Sequence, residues 1–144
     1  MPASPLFAAS PRHQALAFTV LRVITGATFA AHGYQKLFIF GVAGVQGAFT
    51  MMGAPMPMVT GPLVGCLELF GGIAVILGLL TRLVAAGLAI DMLGAIVLVH
   101  FANGFFLPKG YELVLALFAA SLALAVGGAG RFSVDDVIAK RAWR

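Results

Sequence analysis

One carboxylate constrains what this chain can become. Between Pro62 and Leu80, within GPLVGCLELFGGIAVILGLLTR, nineteen residues carry a single charge, Glu68. An α-helix rises 1.5 Å per residue, so this length covers a hydrocarbon layer of ~30 Å and predicts a transmembrane helix. A carboxylate in the middle of such a helix is costly in lipid. Glu68 is therefore expected to face protein, a counter-charge or a water-filled cavity.

Composition agrees with that reading. The 144 residues are 61% hydrophobic and 10% charged, with mean hydropathy +1.04, which is more apolar surface than a water-soluble core can hide. Too few polar residues remain for a separate soluble module, so one integral membrane domain is expected. The net charge of +4 does not indicate nucleic acid, because the basic residues stand singly at the ends of apolar segments. The one cysteine, Cys66, lies inside the Glu68 helix, cannot form an intrachain disulfide and says nothing about compartment.

Three more apolar segments follow the same logic. Ala15 to Ala31 is longer than a signal-peptide core and carries Arg22, so it reads as an uncleaved first helix. Residues 32–61 are punctuated by Gly33, Gly41, Gly44, Gly47, Gly53, Pro55 and Pro57. Phe38 to Phe49 is too short to span and too glycine-rich for a regular helix, which predicts a long outer loop lying on the membrane surface or folded back over the helices. Thr81 and Arg82 form a turn tight enough to send the third span back beside the second. The expected fold is thus an all-α membrane protein, an antiparallel four-transmembrane-helix bundle with spans at about 15–33, 62–80, 83–101 and 111–127. Residues 15–130 form the membrane domain, 1–14 and 131–144 are tails, and Ser133 with Asp136 resembles a capping box for a short C-terminal helix.

Lysine and arginine set the orientation. Arg12, Arg82, Arg131, Lys140, Arg141 and Arg144 fall on one side, Lys36 and Lys109 on the other, so both termini are expected in the cytoplasm. Counted from Arg12 and Arg82, Arg22 lies ~15 Å, Asp91 ~13 Å and Glu68 ~21 Å into the membrane. An arginine fork can hold a carboxylate at its own level and reach one a turn above. The expected arrangement is an Arg22–Asp91 ion pair with Glu68 sharing the guanidinium. Two acids on one cation leave surplus negative charge, so one acid is expected to carry a proton, as a proton-handling site requires. The plainer alternative is a staple that fixes helix register without chemistry.

A second polar layer lies near the outer side, where His32 and His100 stand ~30 and ~27 Å above the same arginines, close to Lys36, Lys109, Tyr111 and Glu112. On an ideal helix His100 is about 180° round from Asp91, whereas His32 is about 80° from Arg22, so His32 should look inward more readily. No two ligands have the i, i+4 spacing of a helical metal motif, and no metal site is assigned. Met51, Met52, Met56 and Met58 are read as membrane-surface packing rather than a Cu(I) thioether site. Gly61, Gly65 and Gly72 beside Glu68, Gly87, Gly94 and Ala95 beside Asp91, and Ala116, Ala120 and Ala123 below Glu112 make stripes along which membrane helices approach closely.

Taken together, Arg22, HGYQKL at 32–37, the Gly53-Ala-Pro loop, CLELFGGIAVILGLLTR at 66–82, Asp91, His100, Glu112 and GGAGRFSVDD at 127–136 closely resemble the DoxX family of small four-helix bacterial inner-membrane proteins. The similarity covers about residues 15–136. It implies a four-helix bundle in the inner membrane and a role as an oxidoreductase or quinone-linked subunit; the family's namesake is a subunit of a thiosulfate:quinone oxidoreductase, and relatives are associated with catechol, quinone or thiol stress. The chain departs from a self-sufficient redox enzyme, having no CxxC pair, haem motif, nucleotide loop or flavin fingerprint.

Two functions from different classes follow. In one, a quinone-like or other small amphiphile binds in the outer half, with Glu68, Arg22 and Asp91 handling protons and His32, Lys36, His100 and Glu112 contacting the head group. That reading brings in a soluble or membrane redox partner and leaves room for a homo-oligomer. In the other, the protein is a non-catalytic transporter-like or scaffold protein whose buried charges only hold short helices together.

Overall fold

The computed structural model describes residues 10–142 and is helical throughout that range apart from its turns. Residues 1–9 of the expected N-terminal tail, and Arg144 of the orientation count, lie outside it. Helix α1, Pro11–Tyr34, begins ahead of the expected start at 15 because Pro11 suits a first helical position and the Ser10 hydroxyl accepts from the His13 amide at 3.3 Å. It continues through a wide π-helical turn, Gln35–Phe40, into α2, Gly41–Met51. Helix α3 is Pro57–Leu77, α4 is Thr81–Asn103, α5 is Glu112–Gly127 and α6 is Val134–Ala142.

The expected long outer loop is helical. Gly44 and Gly47 sit inside α2, Gly41 at φ +72° bends the chain into it, and the turn after it runs through Gly53 at φ +71° and Met56 at φ +48°. Glycine weakens a helix in water, but a segment in lipid has no other partner for its amides, so the helix forms regardless. Of the two positions expected for this segment, the chain takes the folded-back one. Gln46 Nε2 donates to the Met58 carbonyl at 2.9 Å, and Val45 is buried against Gly61.

Packing runs α1 on α3, α3 on α4, α4 on α5 and α5 back on α1. The closest approach is between α1 and α3, where a Cβ on Gly26 would lie 2.6 Å from the Gly72 carbonyl oxygen and one on Gly33 would lie 2.6 Å from the Leu69 Cα. No side chain fits there, so the glycines set the interhelical distance. Around them Phe29, Val75, Leu88, Met92, Val114 and Leu124 form the buried core. Outward-facing Phe38, Ile39, Leu63, Phe70, Ile90, Val97 and Val126 are each at least 62% exposed, a belt that suits hydrocarbon rather than water.

The run Pro11–Met51 and helices α3 and α4 are long and apolar enough to cross a membrane. Helix α5 is as apolar but has sixteen residues, ~24 Å. The α3–α4 turn falls at 78–80 rather than 81–82, with Gly78 at φ +70° and Leu80 at φ +49°. It is held by the Asp135 carboxylate, which accepts from the Leu80 and Thr81 amides at 2.8 and 3.0 Å. At the start of α6 the Ser133 hydroxyl accepts from the Asp136 amide at 3.2 Å, the first half of a capping box.

Candidate functional site

Helices α1, α2, α3 and α4 enclose a cavity of about 480 Å³, with Leu117 of α5 closing one side. Each helix contributes one stripe. Helix α1 turns Phe29, His32 and, at its continuation, Lys36 inward, spaced i, i+3 and i+7; α3 turns in Thr60, Val64 and Glu68, spaced i, i+4 and i+8. Helix α4 supplies Asp91, Met92, Ala95, Leu98 and His100, and Phe49, Met52 and Pro55 cover the cavity from α2 and the turn after it. The wall is mostly apolar, with charge confined to one patch.

At that patch Lys36 Nζ forms an ion pair with Glu68 Oε2, and only 4% of the Glu68 side chain is exposed against 24% for Lys36. Gly33 makes this pair possible, because the close α1–α3 contact at Leu69 lays Lys36 along the Glu68 turn. Asp91 reaches the pair from α4; its carboxyl is close enough to hydrogen-bond to Glu68 if one of the two carries a proton. Its Oδ2 is buried without a partner. One ammonium and two carboxyls thus meet on an apolar wall.

The expected Arg22–Asp91 ion pair is absent. Arg22 is 4% exposed, but its Nη1 donates to the Ile76 carbonyl at 2.5 Å and, at 3.5 Å, to that of Val75, while Nη2 donates to the Phe132 carbonyl. Helix α3 stops at Leu77; the Gly78 and Leu79 amides close on the Val75 and Ala74 carbonyls, and the carbonyls beyond them, Ile76 first, are left at the negative end of the helix dipole. A guanidinium fork satisfies them. The depth scale placed Arg12 and Arg82 level, whereas Arg22 sits level with the end of α3. Helix α1 therefore runs about ten residues, ~15 Å, deeper toward the basic end than expected. That offset takes Arg22 from the cluster and brings Lys36 down to Glu68.

Of the residues assigned to the outer layer, His32, Lys36 and His100 all border the cavity, and His32 is exposed at its edge. His100 contradicts the ideal-helix angle, because a π-helical turn, Ile96–His100, adds one residue and swings it about 100° back toward the Asp91 face. Its Nδ1 donates to the Lys109 carbonyl at 2.8 Å, which leaves Nε2 of the neutral ring as an acceptor. Glu112 is not part of the wall; its Oε1 accepts from the Leu107 amide at 2.9 Å and holds the 104–111 turn. Phe49 and Met52 went unnoticed as wall residues because their segment reads as loop. Among the described residues no three His, Cys, Asp or Glu side chains form a metal-ligand group.

All three wide turns carry a wall residue: Lys36 in Gln35–Phe40, Glu68 in Leu67–Gly71 and His100 in Ile96–His100. Such turns leave backbone groups poorly paired and recur at functional sites.

The chain is similar to several curated proteins over nearly its whole length. "Uncharacterized membrane protein Rv3486" of Mycobacterium tuberculosis is 34% identical over 85% of this chain and 81% of its own. "Putative oxidoreductase CatD" of Bacillus subtilis is 31% identical over 84% and 86%, and "Inner membrane protein YqjF" of Escherichia coli 34% over 85% and 92%. No solved structure matches. The DoxX family profile matches residues 17–101, which carry Lys36, Glu68, Asp91 and His100, and the chain is a membrane protein of the DoxX family.

Proposed function

We propose that this protein is the membrane subunit of a quinone-linked oxidoreductase, set in the bacterial inner membrane as a four-helix bundle with both termini cytoplasmic. It binds a quinone-like amphiphile in the cavity between α1, α3 and α4. The observation that carries the reading is the convergence of Lys36, Glu68 and Asp91 on one patch of an otherwise apolar wall. A volume of about 480 Å³ is within the range of small-molecule sites and accommodates a ring with the first part of a lipid tail. The name carried by the Bacillus subtilis relative supports a redox role.

A quinone takes up two electrons and two protons on reduction to the quinol. No residue set in this chain carries electrons, so a partner protein supplies them. The residues handle the protons. The site is neutral when Glu68 and Asp91 hold one proton between them beside the Lys36 ammonium, which makes the acid pair a donor to a head-group oxygen and an acceptor on return. The acid pair supplies one of the two protons and the other enters from solvent at the exposed His32 edge of the cavity, while Nε2 of His100, an acceptor, takes a hydrogen bond from the second hydroxyl of the quinol. Arg22 and Glu112 have no part in this chemistry; Arg22 serves the staple role that the alternative reading gave to every buried charge.

The test is native mass spectrometry of protein purified in a mild detergent, with a short-chain ubiquinone titrated against it. Wild type is expected to retain quinone, and Glu68→Gln and Asp91→Asn to lose at least ten-fold in retention with unchanged circular dichroism. Saturable binding that both variants keep would refute the assignment.

A further inference from the structure

The far end of the molecule carries a second recess that the proposed chemistry does not use. It is an open groove of about 900 Å³ between the start of α1, the end of α3 and helix α6, lined by Arg12, Leu77, Arg131, Phe132, Val137 and Lys140 among others. Its charge is unbalanced. Lys140 is neutralised by Asp136 of the groove itself, at 2.5 Å in an i, i+4 pair. Arg12 and Arg131 are both exposed, and among the described residues neither has a hydrogen-bond or ion-pair partner. Two guanidinium groups on separate chain segments thus border one recess.

The floor and rim are apolar. Ala15 is buried beneath, while Leu77 is 52%, Phe132 55% and Val137 49% exposed at the side. Val134, Val137 and Ile138 stand at i, i+3 and i+4 on α6 and form an exposed apolar stripe beside the basic groups. On α1 the exposed Leu16 and Val20 continue this surface toward the lipid-facing belt. A short helix with an apolar stripe and basic neighbours lies in the plane of a membrane interface.

We infer that this groove is a binding site for an anionic glycerophospholipid of the inner leaflet, with Arg12 and Arg131 holding the phosphate head group and Leu77, Phe132 and Val137 receiving the start of its acyl chains. Charge complementarity selects the head group, and continuity with the belt selects a lipid over a soluble anion. A basic side chain near a membrane surface contributes about 1 kcal/mol toward an anionic lipid, so two of them give about a thirty-fold preference over a zwitterionic lipid. The proposal does not depend on what occupies the cavity.

The test uses the full chain in dodecyl maltoside with equimolar phosphatidylglycerol and phosphatidylcholine, read by native mass spectrometry. Wild type is expected to retain phosphatidylglycerol about thirty-fold over phosphatidylcholine. Arg12→Gln with Arg131→Gln should reduce the preference below about three-fold, whereas Arg12→Lys with Arg131→Lys, or Arg141→Gln on α6 outside the groove, should keep it. Equal retention of the two lipids by wild type overturns the site, and that arm needs no variant to fold. An unchanged preference in the glutamine double variant overturns the residue assignment. Displacement of the lipid by excess glycerol 3-phosphate would mean that the groove reads a free phosphate, and would overturn the lipid.

Discussion

Replacing Lys36 with methionine keeps the length of the aliphatic stem and removes the ammonium, so it isolates what the ion pair with Glu68 contributes. Glu68 is 4% exposed and would be left as a carboxylate facing Asp91 with no cation between them. Removing one partner of a buried pair costs about 3–5 kcal/mol, because the remaining charge is stranded. Lys36 keeps 24% exposure, which screens the pair and places the expected loss nearer 2–3 kcal/mol. Glu68→Gln costs less, about 1 kcal/mol, since the freed ammonium stands on a flexible stem that reaches water. The double variant should then cost little more than Glu68→Gln alone, a coupling of about 2 kcal/mol in the cycle. Unfolding in mixed micelles titrated with dodecyl sulfate and followed by circular dichroism measures all four species. A Lys36→Met loss below about 0.5 kcal/mol, or strict additivity, would mean that the pair is not a buried one and would refute the electrostatics of the site.

The same assay separates the remaining elements. Arg22→Met strands the carbonyls of Ile76 and Phe132 and should cost about 3 kcal/mol while leaving quinone retention in the folded fraction unchanged; Arg22→Lys, with a point charge in place of a fork, should recover part of the stability. Gly33→Ala places a methyl group against the Leu69 backbone, which no rotamer relieves, and should cost at least about 2 kcal/mol. Gly47→Ala on α2 meets nothing within 4 Å and should raise stability by about 0.5–1 kcal/mol, so equal effects at the two glycines would contradict the packing described. Asp135→Ala removes the acceptor of the Leu80 and Thr81 amides and should lower the unfolding midpoint by the equivalent of about 1 kcal/mol, with Asp135→Asn intermediate.

Much of this architecture was legible in the residues because a membrane simplifies the problem. A helix in lipid must satisfy its own amides, so runs around Arg22, Glu68 and Asp91 could be read as helices from length and hydropathy alone. The same rule explains the misreading of 38–49, where glycine was given the weight it has in water. Which acid meets which base was not legible, since helix depth was counted from arginines assumed to be level. No sequence feature states that Arg22, rather than Arg12, stands beside the end of α3. Once α3 stops at Leu77, however, its open carbonyls attract the nearest guanidinium and Arg22 is withdrawn from the acids. Lys36 then becomes the cation available to Glu68.

The wide turns were invisible for a related reason. A π-helical turn inserts one residue without changing composition, so a pattern read at 3.6 residues per turn loses phase beyond it. His100 shows the consequence: nine residues from Asp91 and nominally opposite, it borders the same cavity because one residue between them is spent in the turn. Lys36 and Glu68 lie within such turns, whereas Arg22 and Arg82, which donate to carbonyls near the ends of α3 and α5, lie in regular helix. The two arginines that bind helix ends thus sit on undistorted backbone, whereas three of the six polar residues on the cavity wall, Lys36, Glu68 and His100, sit on distorted backbone. Helix-end contacts alone give no reason to distort three separate helical runs. A recess whose polar groups must converge from those runs does, and it is this contrast that favours a binding site over a scaffold at the Lys36, Glu68 and Asp91 patch.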